Sequence, residues 1–171
     1  MSFSKLNRIT IVGRPGSGKS TYAVELSKRF QIPVFHLDKI FFTDHWKERD
    51  REEFLTLQQN WIDHPQWILD GNSLKSLELR YQASDLIIVF LLPKWKCLWR
   101  IIQRRFQRKN HLIDDRASNC PEKLSLKLLY YTWTFEHRLL PILTELQENH
   151  PDVKIAFITS DAQKKALFNI R

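Results

Sequence analysis

Glycine is scarce in this chain. Its 171 residues include four, against a usual share of about 7%, and three of these, Gly13, Gly16 and Gly18, fall within six positions. Cysteine is scarcer still. Cys97 and Cys120 have no metal-ligand spacing, and two such residues make no disulfide framework. Long apolar runs are missing as well. The longest, from Leu86 to Pro93, has the length of a buried strand and falls far short of the ~18 residues of a membrane helix. No apolar leader-like stretch precedes the first strand, which begins within ten residues of Met1. No secretory signal and no membrane partner are therefore expected, and the expected compartment is the cytoplasm. Acid is in deficit, with 19 Asp and Glu against 27 Lys and Arg, for a net charge of +8. That surplus implies either a polyanionic partner such as nucleic acid or a site built to hold several phosphates.

What is present is organised around Gly13-Arg14-Pro15-Gly16-Ser17-Gly18-Lys19-Ser20. The stretch fits G-x-x-x-x-G-K-[ST] at every fixed position. It follows a short apolar run, Ile9 to Val12, and precedes a helical pattern, which is the context its mechanism needs. Such a loop wraps phosphate oxygens with backbone N–H groups, and the helix behind it points its positive end at the same anion. A nucleoside triphosphate, ATP with Mg²⁺, is expected on Gly13 to Thr21. Lys19 is placed to reach the β- and γ-phosphates, and the Ser20 hydroxyl to ligate the metal.

The rest of the chain alternates strands and helices. A helix is expected over Ser20–Phe30, ended by Pro33, and a strand over Val34–Leu37 with Asp38 at its carboxyl end. Asp50 and Glu53 have capping-box spacing before a helix carrying Phe54, Leu57 and Trp61 on one face. Trp67–Leu69 reads as the third strand, leading into Asp70-Gly71-Asn72. Asp85–Leu92 reads as the fourth strand, Lys94–Lys109 as a strongly basic helix, and Asn110–Cys120 as a polar, mobile connection. A helix from Pro121 to about Asn149, bent at Pro141, a strand over Val153–Ile158 and a helix over Asp161–Phe168 complete the chain. This is the pattern of an α/β protein with a parallel sheet covered on both faces. We expect one domain over 1–171, a three-layer P-loop fold with five parallel strands in the order 2-3-1-4-5. Residues 39–64 form its acceptor-binding region and 109–121 a lid-like connection.

Ligands gather at the carboxyl ends of such strands, so Asp38, Asp70 and the phosphate loop should share one rim. Asp70 is either an Mg²⁺ ligand or a turn residue before glycine; beside a phosphate loop the metal role is favoured. Asp38 is placed to accept a proton from an acceptor hydroxyl, or to cap the next segment, or to touch the metal indirectly. At about 100° per residue, Arg100, Arg104 and Arg108 fall within an arc of roughly 80°. They line either a phosphate-facing stripe or a solvated basic face. Trp95, Leu98, Trp99, Ile102 and Phe106 lie opposite and are expected in the core, with Arg105 partly buried or paired. Arg80 is a candidate for an anionic acceptor, Arg116 and Arg138 are weaker candidates, and no histidine has an evident partner.

Taken in order, these segments resemble the nucleoside-monophosphate kinases, adenylate kinase in particular. Trp67–Asn72 resembles their strand followed by Asp-Gly, and Arg100 to Arg105 resembles the Arg-x-x-Gly-Arg-Arg that opens their lid. That likeness implies nucleotide contacts for Arg100 and Arg104. A nearer likeness is to the bacterial DNA topology modulation proteins, through Ile32–Lys39, Trp67–Asn72, Cys97–Arg100, Cys120–Leu124 and Trp133–Phe135. Two departures from adenylate kinase matter. Asp38-Lys39-Ile40-Phe41 replaces its Thr-Gly-Asp segment, and Asn72-Ser73-Leu74 replaces the Phe-Pro-Arg that holds AMP. An acceptor other than AMP is expected. An aspartate after the second strand is instead similar to small-molecule kinases of the shikimate type. The expected function is ATP-dependent phosphoryl transfer to a small acceptor. The alternatives are a nucleotide-binding protein acting on DNA and a non-catalytic nucleotide-binding scaffold.

Overall fold

Five short apolar runs assemble side by side, and the alternation of side chains along each decides what covers them. The computed structural model describes residues 6–43, 47–107 and 125–169. Strand β1 (Arg8–Gly13) is central, with β3 (Trp67–Asp70) on one side and β4 (Leu86–Phe90) on the other. Strand β2 (Val34–His36) extends the sheet beyond β3, and β5 (Lys154–Ile158) extends it beyond β4. All four pairings are parallel, as the alternation of elements predicts, and the order is β2-β3-β1-β4-β5, the order expected of a P-loop fold.

Successive side chains of a strand point to opposite faces. Leu86, Ile88 and Phe90 therefore join Tyr22, Ala23 and Leu26 of α1 (Lys19–Phe30), while Ile87 and Val89 face the other way. There they meet Leu77 and Tyr81 of a short helix before β4, and Phe135, Leu139, Leu143 and Leu146 of a long one. With both faces covered, every β4 residue is buried. This is why β4 reads as an unbroken apolar run rather than an alternating one.

Between the second and third strands lie α2 (Leu37–Phe41) and α3 (Arg51–Ile62). The carboxylate of Asp50 caps α3 by accepting from the Glu52 and Glu53 amides at 2.9 and 3.2 Å. Glu53 pairs with Arg49. The short helix before β4 is α4 (Leu77–Gln82), and α5 (Lys94–Gln107) comes after that strand. The long helix is α6 (Leu126–Asn149), and α7 (Asp161–Asn169) follows β5. Ser125 caps α6 through a 3.1 Å bond from the Leu128 amide. The helix runs on through Pro141, which cannot bond the carbonyl of His137. Both residues are exposed, so that carbonyl faces water.

Two expectations shift here. The second strand stops at His36, and Leu37 already begins α2, so Asp38 sits in the first turn of a helix rather than at a strand end. Trp95 and Trp99 are not in the core: they are 69% and 63% exposed. The buried seam of α5 is Cys97 and Ile101, and the indoles lie roughly opposite it. The helix is turned so that the edge carrying Arg100 and Arg104, not the aromatic face, adjoins its contact with the phosphate loop. The side chain of Arg105, the residues Arg108 and Arg116, the expected connection 109–121 and the segment Cys120–Leu124 lie outside the described residues.

Candidate active site

The phosphate loop is tied down at its start and closes on itself. Its first amide, on Gly13, donates to Asn72 Oδ1 at 3.0 Å, and the Arg14 amide donates to the Phe90 carbonyl at 2.9 Å. The loop closes on itself where the Ser17 amide donates to the Arg14 carbonyl at 3.1 Å. Gly16 and Gly18 hold φ of 78° and 86°, a left-handed conformation that costs a residue with a Cβ about 1–2 kcal/mol. At Gly16 a Cβ would also lie 2.4 Å from the Cys97 carbonyl oxygen, because α5 packs directly on the loop. At Gly18 a Cβ would meet nothing within 4 Å, so the loop opens on that side. Pro15 is half-buried, Lys19 and Ser20 open α1 in half-buried positions, and Thr21 is exposed.

Arg14 contributes no free cation. It is 2% exposed, donating from Nη1 to the Leu92 carbonyl at 2.5 Å and from Nη2 to Glu136 Oε2 at 2.7 Å. It fastens the loop to the end of β4 and to α6. Arg100 lies on the far side, donating to the Ser17 carbonyl at 3.4 Å and to both Asp161 oxygens at 3.1 Å. Lys96 reaches the same carboxylate at 2.5 Å. Hydrogen bonding from Lys96, helped by Arg100 and resisted by partial burial, holds the Asp161 carboxyl below the usual carboxylate range. Arg104, one turn beyond Arg100, is half-buried and engaged in contacts of its own.

Asp70 ends β3 and is 3% exposed. Its Oδ2 is 3.0 Å from His36 Nδ1, while its Oδ1 is buried and makes no hydrogen bond. Burial alone would raise its pKa. The Lys19 charge, together with the His36 hydrogen bond and the nearby Ser20 hydroxyl, outweighs that and holds the carboxyl below its ordinary value. An ionised, buried oxygen without a partner, beside a lysine and a serine at the mouth of a phosphate loop, suits a hard divalent cation. Among the described residues no group of three or more His, Cys, Asp or Glu side chains gathers as a metal cage. A site with one or two protein oxygens fits Mg²⁺ that arrives on substrate phosphates.

The acceptor candidates divide. Asp38 is exposed in the first turn of α2. Its charge reaches Tyr131 of α6, whose phenol burial pushes up to about 12, with Arg138 opposing the rise, Asp38 adding to it and Arg80 opposing. The Arg138 guanidinium lies 5.5 Å from the Tyr131 ring and 5.8 Å from that of Tyr130. Asp38, Tyr131 and Arg138 thus share one neighbourhood. Arg80 does not open onto it, since it is 0% exposed and donates to the Gly71 and Ser73 carbonyls at 3.2 and 3.0 Å and to Ser76 Oγ at 3.2 Å. Burial pushes its pKa down to about 9, against the pull of Asp70 and Tyr131. It supports the turn after Asp70 from beneath, and a buried guanidinium so engaged gives no support to a place on the acceptor.

Sequence reasoning missed His36, Asn72, Tyr131 and the Arg14–Glu136 pair. For His36 a signal existed: it precedes Leu37-Asp38 at the end of one strand, and Asp70 ends the neighbouring parallel strand. In the sheet the two are register partners. The other three join segments 59 or more positions apart, or depend on which face α6 presents, and no local pattern reveals them.

Comparison with known proteins bears on the fold. No family model matches the chain. Over 85 residues it is 32% identical to an adenylate kinase of Thermoanaerobacter sp. (strain X514), and equally so to that of Thermoanaerobacter pseudethanolicus. The matched stretch is 50% of this chain and 38% of each relative, so the chain spans well under half of the curated relatives it matches. Among solved structures, shikimate kinase from Acinetobacter baumannii, in complex with shikimate, superposes with a TM-score of 0.59. It covers 96% of this chain and 93% of its own, at 15% identity. The fold is that of the P-loop kinases. Shikimate kinase from Bacteroides thetaiotaomicron gives a TM-score of 0.56 over 95% of this chain and 94% of its own, at 14% identity. The likeness to the DNA topology modulation proteins rests on its sequence segments alone. No helix among the described residues is long and apolar enough to cross a membrane.

Proposed function

We propose that this chain is an ATP-dependent phosphotransferase that moves the terminal phosphoryl group of Mg·ATP to a small acceptor other than AMP. One juxtaposition supports this most directly: the unpartnered Oδ1 of Asp70 lies at the mouth of the phosphate loop, beside Lys19 and Ser20. Gly13 to Thr21 hold the phosphate chain, with Lys19 as its point charge. Asp70 and Ser20 hold the cation, which when bound offsets charge on the phosphate oxygens. Arg100 and Arg104 stand on α5 above the loop, where positive charge stabilises a transferring phosphoryl group. Across the rim Asp38 takes the proton of an acceptor hydroxyl. Tyr131 and Arg138 border that position, and residues 39–64 form the acceptor's remaining wall.

A role in nucleic-acid binding has less support. Of the basic groups near the loop, Arg14 is paired with Glu136 and Lys96 with Asp161. The test is a panel of nucleosides, nucleotides and small alcohols assayed for acceptor-dependent ADP release. A hydroxyl-bearing compound is expected to raise release above the rate with ATP alone. Lys19→Ala is expected to lower that release by about 10²–10³-fold. Release that no acceptor accelerates, or that survives Lys19→Ala, counts against the reading.

A further inference from the structure

A carboxylate that is to receive a cation has to be held by one oxygen and leave the other available. Asp70 is in that state. Its Oδ2 is bonded to His36 Nδ1 at 3.0 Å, and its Oδ1, equally buried, has no bond. The contact comes from the parallel register, which sets His36 directly beside Asp70 at the ends of β2 and β3. His36 is 8% exposed, so water competes little for the bond. A carboxylate only accepts, so in this contact the hydrogen belongs to Nδ1 of the imidazole.

Around the carboxylate the groups are arranged asymmetrically. Lys19 and Ser20 belong to the start of α1, and His36 approaches along the sheet from the neighbouring strand. Remove the imidazole and the carboxylate is free to turn both oxygens toward Lys19 and Ser20. That would close the position a cation needs and occupy the ammonium that should meet phosphate. We propose that His36 is a positioning residue for the metal–nucleotide complex, tying down Oδ2 so that Asp70 presents Oδ1 alone to a divalent cation carried by the triphosphate. This rests on the reading of the loop as a Mg·ATP site. It adds a residue that neither the loop pattern nor the likeness to adenylate kinase points to. A partner one step behind the ligand commonly sets metal affinity by about 10–100-fold.

The test uses Mn²⁺ as the probe, its uptake measured by electron paramagnetic resonance in the presence of ATP. Binding of ATP alone is measured in parallel under chelator. Three variants separate the roles. His36→Leu removes the donor, His36→Gln places an amide where Nε2 stands, and His36→Asn places one near Nδ1. His36→Leu and His36→Gln are expected to weaken Mn²⁺ uptake by about 10-fold or more, with metal-free ATP binding within about twofold of wild type. His36→Asn is expected to restore uptake to within about threefold. If His36→Leu fails to fold, the contrast between Gln and Asn still decides. Ordinary Mn²⁺ uptake by His36→Gln, or an equal loss in the Gln and Asn variants, overturns the positioning role while wild-type uptake leaves the nucleotide site standing. A wild-type protein that takes up no Mn²⁺ with ATP overturns the nucleotide reading, and the positioning role with it.

Discussion

The two sides of the rim, donor and acceptor in the function proposed above, are built differently. On the donor side, Asp70 is buried and Arg14 and Arg80 are nearly or wholly so. Asp70 Oδ2 is held by an imidazole, and the terminal nitrogens of both guanidiniums by carbonyls, a carboxylate or a hydroxyl. On the acceptor side Asp38 is exposed and carried by the five-residue α2, in which Leu37 is buried and Lys39 to Phe41 are half-buried. Phosphate is the same ligand whatever the acceptor, and a fixed cradle costs nothing to rearrange when charge develops. A side that admits a second substrate has to open, and it is drawn from less deeply packed parts of the fold. The difference should make donor-side substitutions costly to stability and acceptor-side substitutions costly to activity alone.

The largest expected effect breaks the donor side from beneath. Arg80→Met keeps an unbranched apolar stem but removes the guanidinium, leaving the Gly71 and Ser73 carbonyls without their donor. A loss of about 3 kcal/mol in unfolding free energy is expected from urea titration. A loss below about 0.5 kcal/mol would show that the turn after Asp70 does not depend on it. Asp38→Asn is the acceptor-side counterpart. It should lower acceptor-dependent ADP release by about 10²-fold, the usual weight of a positioned base, with an unchanged melting temperature. A fall in stability matching the fall in rate would erase the distinction between the two sides.

A smaller effect comes from Asp161, which ties α5 to α7 through Lys96 and Arg100 and is 38% exposed in its side chain. Its folded pKa lies below the ordinary carboxylate value, so its contribution is complete above about pH 4. That contribution disappears as pH falls through the folded value. Asp161→Asn should therefore cost more stability at pH 7 than at pH 3. The neutral-pH cost should be under about 1 kcal/mol, because the pair is partly open to solvent. An equal cost at both pH values would assign the loss to packing.

The phosphate loop and the parallel sheet were legible in the sequence because both depend on local pattern, and the strand order followed from the P-loop fold that the loop implies. Glycine spacing specifies the loop, and alternating strands and helices with one wholly apolar strand specify a doubly covered parallel sheet. The orientation of α5 was not legible. Trp95, Trp99 and Ile102 form a more hydrophobic stripe than Cys97 and Ile101, so amphipathicity alone turns the helix the wrong way. What turns it is the phosphate loop, which brings Gly16 against the Cys97 carbonyl and Ile101 and so needs a slim seam there. The two indoles are left outside. Arg80 misled for a similar reason: an arginine on a short helix before a strand looks solvent-facing until the carbonyls of the preceding turn are seen to converge on it. His36 was hidden because its partner lies 34 residues away on the neighbouring strand.

Amide hydrogen exchange with and without Mg·ATP tests the asymmetry of the rim most directly, since it needs no knowledge of the acceptor. Added Mg·ATP should slow exchange across residues 13–21 and 67–72, while 37–43 and 51–62 exchange as they do in the free protein. Protection confined to 37–62, with 13–21 unchanged, would contradict the assignment of the phosphate loop as the donor side.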